Sequence, residues 1–106
     1  MTESVPKPVH WLKAADDDLA EIIDRISKDD PIAASNFLDR IFSLTELLER
    51  SPLLGAVCPY SRKVRQLIHG KYVIYYSVGR SEILIRAIVH GARLFRRNWL
   101  IRDEKL

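Results

Sequence analysis

The chain has 106 residues, 47% of them hydrophobic, which fits one compact domain, residues 1–106, built on a single core. No stretch approaches the roughly 18 uninterrupted apolar residues of a membrane span, the opening MTESVPKPVHW lacks a signal-peptide layout, and a lone cysteine, Cys58, excludes an internal disulfide. The net charge of +3 hides a division: residues 1–56 hold six Lys/Arg against eleven Asp/Glu (−5), residues 57–106 eleven against three (+8), so the second half favours an acidic partner, nucleic acid or protein.

In chain order, Pro6 and Pro8 precede a short apolar stretch, Val9–Leu12, read as a first strand. From Lys13, Ala15, Leu19, Ile22, Ile23 and Ile26 recur at helical spacing and predict an amphipathic helix. Asp16, Asp17 and Asp18 fall at its positive end; adjacent helix positions point in different directions, so they read as dipole and solubility residues. Asp30 followed by Pro31 is an N-cap and first-position signal for a second helix running to about Arg50. The short linker predicts an antiparallel helical hairpin.

SPLLGAVCPYS, with Pro52, Gly55 and Pro59, reads as a loop. Beyond it the period becomes two, and Lys63–His69, Tyr72–Val78 and Glu82–His90 predict three strands of an antiparallel meander. Strict alternation in the last strand puts Ile83, Ile85, Ala87 and Val89 on the helix-facing side. Leu84, Arg86, Ile88 and His90 are then expected on an open face that can receive a partner. The expected architecture is an α+β two-layer domain, strand, helical hairpin, three-stranded meander, with a core over about 9–93 and a basic tail over 94–106.

The chemistry is sparse. The three histidines, His10, His69 and His90, show no metal-ligand spacing, the four glycines form no phosphate loop, and nothing resembles a nucleophile elbow around Cys58. No metal and no cofactor is expected. Metal-free phosphodiester cleavage needs a base, phosphate-holding cations and an acid, and Arg65, Arg86, Arg93, Arg96, Arg97 and the histidines contain such groups. Taken singly, each arginine reads as a solvated or interface cation, and His90, before Gly91, as a hydrogen-bonded structural residue.

Read together, WLKAADDDLAEIIDRI, PIAASNFLDRI, LLERSPLLG, VRQL, YVIYYSV and ILIRAIVHGAR resemble the RelE/ParE superfamily of type II toxin–antitoxin toxins, and its ParE branch in particular. The pieces that carry the resemblance are Trp11 with Ala15 and Asp18-Leu19, Ala33-Ala34, Pro52 and Gly55, Arg65 and Leu67 before Tyr72, and His90-Gly91-Ala92-Arg93. The family fold is a strand, a helical hairpin and an antiparallel sheet. RelE-like members are ribosome-dependent mRNA endonucleases; ParE-like members poison DNA gyrase. An antitoxin neutralises both.

The resemblance implies a choice between the branches. Arg93 matches the arginine that the nuclease branch carries after its last strand. Trp99 stands where that branch has a tyrosine, and Ile68 where it has an arginine before the hairpin tyrosine. The LFRRNWLIRDEKL tail is more basic and aromatic than the usual ParE pattern. The expectation is a gyrase-inhibiting interaction protein with no catalytic residues. Arg93, Arg96, Arg97 and Trp99 form its target surface, as cations and an indole are common interface anchors, and Arg65 and Arg86 dock the antitoxin. The implied partners are DNA gyrase and a ParD-like ribbon–helix–helix antitoxin, through which alone operator DNA is reached. The other reading is an mRNA endonuclease at the ribosome using Arg65, His90 and Arg93; a third is a member that binds its antitoxin but harms no target.

Overall fold

Asp30 ends one helix and starts the next. In the computed structural model, which describes residues 6–91, its carboxylate accepts hydrogen bonds from the backbone N–H groups of Ile32 and Ala33, both at 3.1 Å. Pro31 occupies the first helical position, where a missing N–H removes no bond. The elements are β1 (Val9–Trp11), α1 (Lys13–Asp29), α2 (Pro31–Arg50), β2 (Ala56–Cys58), β3 (Ser61–His69), β4 (Tyr72–Val78) and β5 (Ile83–His90). Neither helix has the length and apolar character needed to cross a membrane.

At the start of α1 no side chain caps the helix. The turn is held by burial instead: Leu12 is fully buried, its N–H bonds the Ile85 carbonyl at 3.0 Å, and its carbonyl accepts the Asp16 N–H. Ala15, Leu19 and Ile22 of α1 and Ile41 and Leu48 of α2 meet Ile74, Tyr76, Ile83, Ile85 and Ile88 of the sheet in the main core. Each fully buried large aliphatic contributes about 1.5–3 kcal/mol. The acidic side of α1 faces water, where Lys13–Asp17, Glu21–Arg25 and Asp24–Lys28 pair at i,i+4 spacing.

The sheet has the order β1-β5-β4-β3-β2. β1 lies parallel to β5, and the other pairs are antiparallel. Gly70, at φ +58°, supplies the first central residue of the two-residue β3–β4 turn, a left-handed position that a β-carbon disfavours.

The structure corrects the sequence reading at two places. The 51–61 segment is more than a loop: Ala56–Cys58 is a strand on the β3 edge, with an irregularity between Val57 and Cys58. Alternation in β5 also breaks. Tyr75 pairs with Ala87 and Tyr76 with Ile85, so Arg86 is an extra residue, a β-bulge. Before it, Ile83 and Ile85 face the helices as expected. After it the faces exchange: Ile88 joins the helix-side core, whereas Ala87 and Val89 join Cys58, Val64 and Tyr75 on the opposite side. One inserted residue moves every later side chain across the sheet.

Candidate functional site

Three strands and the turn after α2 converge on a basic groove at one end of the sheet. Its cations are Arg62, Lys63 and Arg65 of β3 and Arg86 of β5, and Leu53 and Leu84 are its main apolar lining. Arg86 shares this face with Leu84, and the Arg86 Nε donates to Ser77 Oγ at 2.9 Å. Glu82 is the acidic residue of the lining.

Arg65 has a second task. Its Nη1 donates to the Gly55 carbonyl at 2.7 Å and to the Leu53 carbonyl at 3.4 Å. The Tyr76 hydroxyl accepts from the Gly55 N–H at 2.7 Å and donates to the Pro52 carbonyl at 2.9 Å. Two sheet side chains thus strap the 52–55 turn, leaving Leu53 and Leu54 exposed at 65% and 45%. Gly55 is required by closeness: a β-carbon there would lie 2.6 Å from the Gln66 carbonyl oxygen and 2.8 Å from the Tyr76 ring. Burial pushes the Tyr76 hydroxyl above its ordinary pKa, against the lowering effects of the Gly55 bond and the Arg65 charge. Tyr75, on the other face, is raised by burial and by its neighbours Cys58 and Tyr60.

His90 lies elsewhere. Because of the bulge it turns to the helix side instead of sharing an open face with Arg86. Its ring meets Tyr72 edge-on at 5.5 Å, Tyr72 meets Phe37 at 5.2 Å, and Phe37 meets His69 at 5.6 Å. This row of rings ties α2 to three strands. A small cleft beside it is lined by Asp18, Glu21, Arg25, Tyr72, Ile88 and His90. There the Asp18 carboxylate accepts the Ile88 N–H at 3.2 Å, binding α1 to the β5 edge past the end of β1.

The structure therefore brings Arg65 and Arg86 into one groove but does not bring His90 to them. Arg65 pairs with Tyr76 and Tyr76 with Ile85, five positions along β5 from His90, a separation of roughly 16 Å along the strand alone. Arg93, Arg96, Arg97 and Trp99 lie outside the described residues. Among those described, no group of three or more His, Cys, Asp or Glu is placed to hold a metal ion. Sequence reasoning missed Arg62 and Lys63 as groove cations, although the SRKVR run at the start of β3 carried the signal.

The sequence pattern of the family described as ParE toxin of type II toxin–antitoxin system, parDE, matches residues 9–95. The chain belongs to this family. The match takes in β1, both helices and the whole meander, so the groove, the strapped turn and the ring row are all features of a ParE-family toxin domain. The fold agrees with a chain of the chromosomal ParDE TA system from P. aeruginosa, 24% identical, with a TM-score of 0.69 over 82% of this chain and 98% of that one. It also agrees with a chain of the toxin–antitoxin complex RelBE2 from Mycobacterium tuberculosis, 18% identical, TM-score 0.56, over 88% and 100%. No curated protein matches the sequence. The α+β class and the superfamily resemblance both hold for this ParE-family chain, with β2 as an added edge strand.

Proposed function

We propose that this type II toxin inhibits DNA gyrase through a protein–protein contact in the cytoplasm and is held inactive by a ParD-like ribbon–helix–helix antitoxin. The observation that carries the reading is the ParE family match, which runs from β1 to residue 95 and takes in Arg93. Similarity to a chain of a ParDE system supports a ParD-like partner. Arg93, Arg96, Arg97 and Trp99 supply the gyrase contact, and the groove of Arg65 and Arg86, joined by Arg62 and Lys63, receives the antitoxin. Four cations beside exposed Leu53 suit an acidic segment carrying an apolar anchor. Operator DNA is then reached only through the antitoxin. The separation of Arg65 from His90 supports a binding protein over the Arg65–His90–Arg93 nuclease. Induction without antitoxin should arrest DNA replication before translation falters. Codon-linked mRNA cuts by primer extension within minutes of induction would contradict the proposal and assign the ribosome as target.

A further inference from the structure

Leu53 and Val78 each line two cavities. One is the basic groove, about 570 Å³; the other, about 550 Å³, adjoins it at the 52–55 turn. Lys7, ahead of β1, and Arg50, the last residue of α2, wall the second cavity. Pro52, Leu53, Leu54 and Val78 give it an aliphatic floor. The division of charge along the sequence conceals this surface, because Lys7 and Arg50 belong to the net-negative half of the chain and the fold carries them to the edge of the basic half.

The two linings present Lys7, Arg50, Arg62, Lys63, Arg65 and Arg86 against the single carboxylate of Glu82. Among the described residues, the side chains of Arg50, Arg62 and Lys63 make no ion pair or hydrogen bond. The Lys7 ammonium gives one bond to the Gly79 carbonyl at 2.9 Å and keeps two donors, and Arg65, whose Nη1 holds the turn, keeps those of Nε and Nη2. Grouped cations repel one another, a cost that an acidic ligand relieves. Leu53 stands exposed between the cavities, on a turn fixed by Arg65 and Tyr76. A side chain on a fixed backbone loses little freedom when a partner closes on it, and an apolar anchor within a polar rim is the composition of an interface hot spot. Neither lining contains an aromatic ring, so nucleotide bases would find no platform to stack on. Aliphatic surface between cations fits the aliphatic and carboxylate side chains of a peptide.

We propose that one continuous acidic segment of the antitoxin occupies both cavities, crossing the toxin at Leu53 with an apolar side chain seated on either side of it. Its carboxylates meet Arg62, Lys63 and Arg86 in the groove and Arg50 and Lys7 in the second cavity. The inference rests on the groove being the antitoxin site, and it extends that site past the turn to two cations from the acidic half of the chain. Arg65 acts as a positioning residue as well as a contact, since the bonds of its Nη1 hold the Leu53 ridge in place.

Overlapping synthetic peptides that tile the antitoxin, titrated by fluorescence anisotropy into the full toxin chain, test this. A single peptide should bind the parent and lose affinity about tenfold at low salt with Arg62→Glu in the groove and again with Arg50→Glu in the second cavity. Leu53→Asp should weaken the same peptide, and the intact antitoxin should show all three losses. Arg50 and Leu53 are exposed, and circular dichroism checks that each variant keeps the parent fold. Unchanged binding of both peptide and intact antitoxin to Arg50→Glu would overturn the inference and leave the groove as the antitoxin site. So would two separate peptides, each sensitive to one cavity alone. A single-stranded oligoribonucleotide that binds the parent and is weakened by Arg50→Glu and Leu53→Asp would assign the surface to nucleic acid instead. Failure of the intact antitoxin to bind the parent chain would overturn the antitoxin reading itself, and this inference with it.

Discussion

The Tyr76 hydroxyl and the Gly55 backbone N–H meet at 2.7 Å across a span of 21 residues, and the same hydroxyl donates to the Pro52 carbonyl. The bond joins the centre of β4 to the turn that presents Leu53 and Leu54 beside the groove. Tyr76→Phe leaves a buried N–H without its partner, at a cost of about 1–3 kcal/mol. At roughly 4–8 °C per kcal/mol for a domain near this size, calorimetry should show a clear fall in melting temperature.

The same hydroxyl predicts an alkaline limit. Its pKa is raised above 10.0 in the folded chain, so the unfolded chain loses this proton first as pH rises. The contribution is complete below pH 10.0 and is lost as pH climbs through the higher folded-state value. Denaturant melts above pH 10 should show a smaller pH-dependent loss in Tyr76→Phe than in the parent.

Gly55→Ala tests the close approach. The added methyl meets the Gln66 backbone and the Tyr76 ring below 3 Å, and since backbone does not yield as a flexible side chain would, the cost should be about 1–3 kcal/mol. Chemical denaturation reads it directly; an unchanged midpoint would contradict the strap.

Asp18 is legible as a helix-start aspartate but acts as a clasp to the Ile88 N–H. Asp18→Ala should cost about 1–2 kcal/mol by losing a hydrogen bond to a charged acceptor. Asp18→Asn, which keeps an acceptor oxygen, should cost less. Amide exchange at Ile88 should quicken in the alanine variant and little elsewhere in β5.

For antitoxin capture, Arg62→Glu and Arg86→Glu should each weaken binding about tenfold at low salt, mostly by slowing association, with a smaller effect at high salt. Arg62→Glu makes the cleaner test, because Arg86 also bonds Ser77. Surface plasmon resonance at two ionic strengths separates the rate constants.

Local signals were legible in the sequence, and cross-strand ones were not. Asp30-Pro31 fixes the hairpin within a few residues of chain, and the structure places the helix start at Pro31. β2 is three residues long, too short to show a period, and exists because Ala56 and Val57 find partners on β3. The bulge at Arg86 has no signature in ILIRAIVH, since it is defined by how β5 pairs with Tyr75 and Tyr76. That unseen residue decided where His90 lies: it sent His90 to the ring row, whereas Arg86 keeps the face that alternation from Ile85 gives it, beside Leu84. Arg65 stood out in the sequence as a candidate cation, but its hold on the Gly55 carbonyl depends on a turn that only the folded chain brings near.

The central claim is that this ParE-family toxin acts by contact with gyrase. Plasmid supercoiling by purified DNA gyrase tests it most directly. The full chain should inhibit supercoiling in proportion to its concentration, equimolar antitoxin should restore it, and Arg96→Glu/Arg97→Glu should weaken the inhibition with the fold unchanged. Full supercoiling activity at saturating toxin would contradict the account.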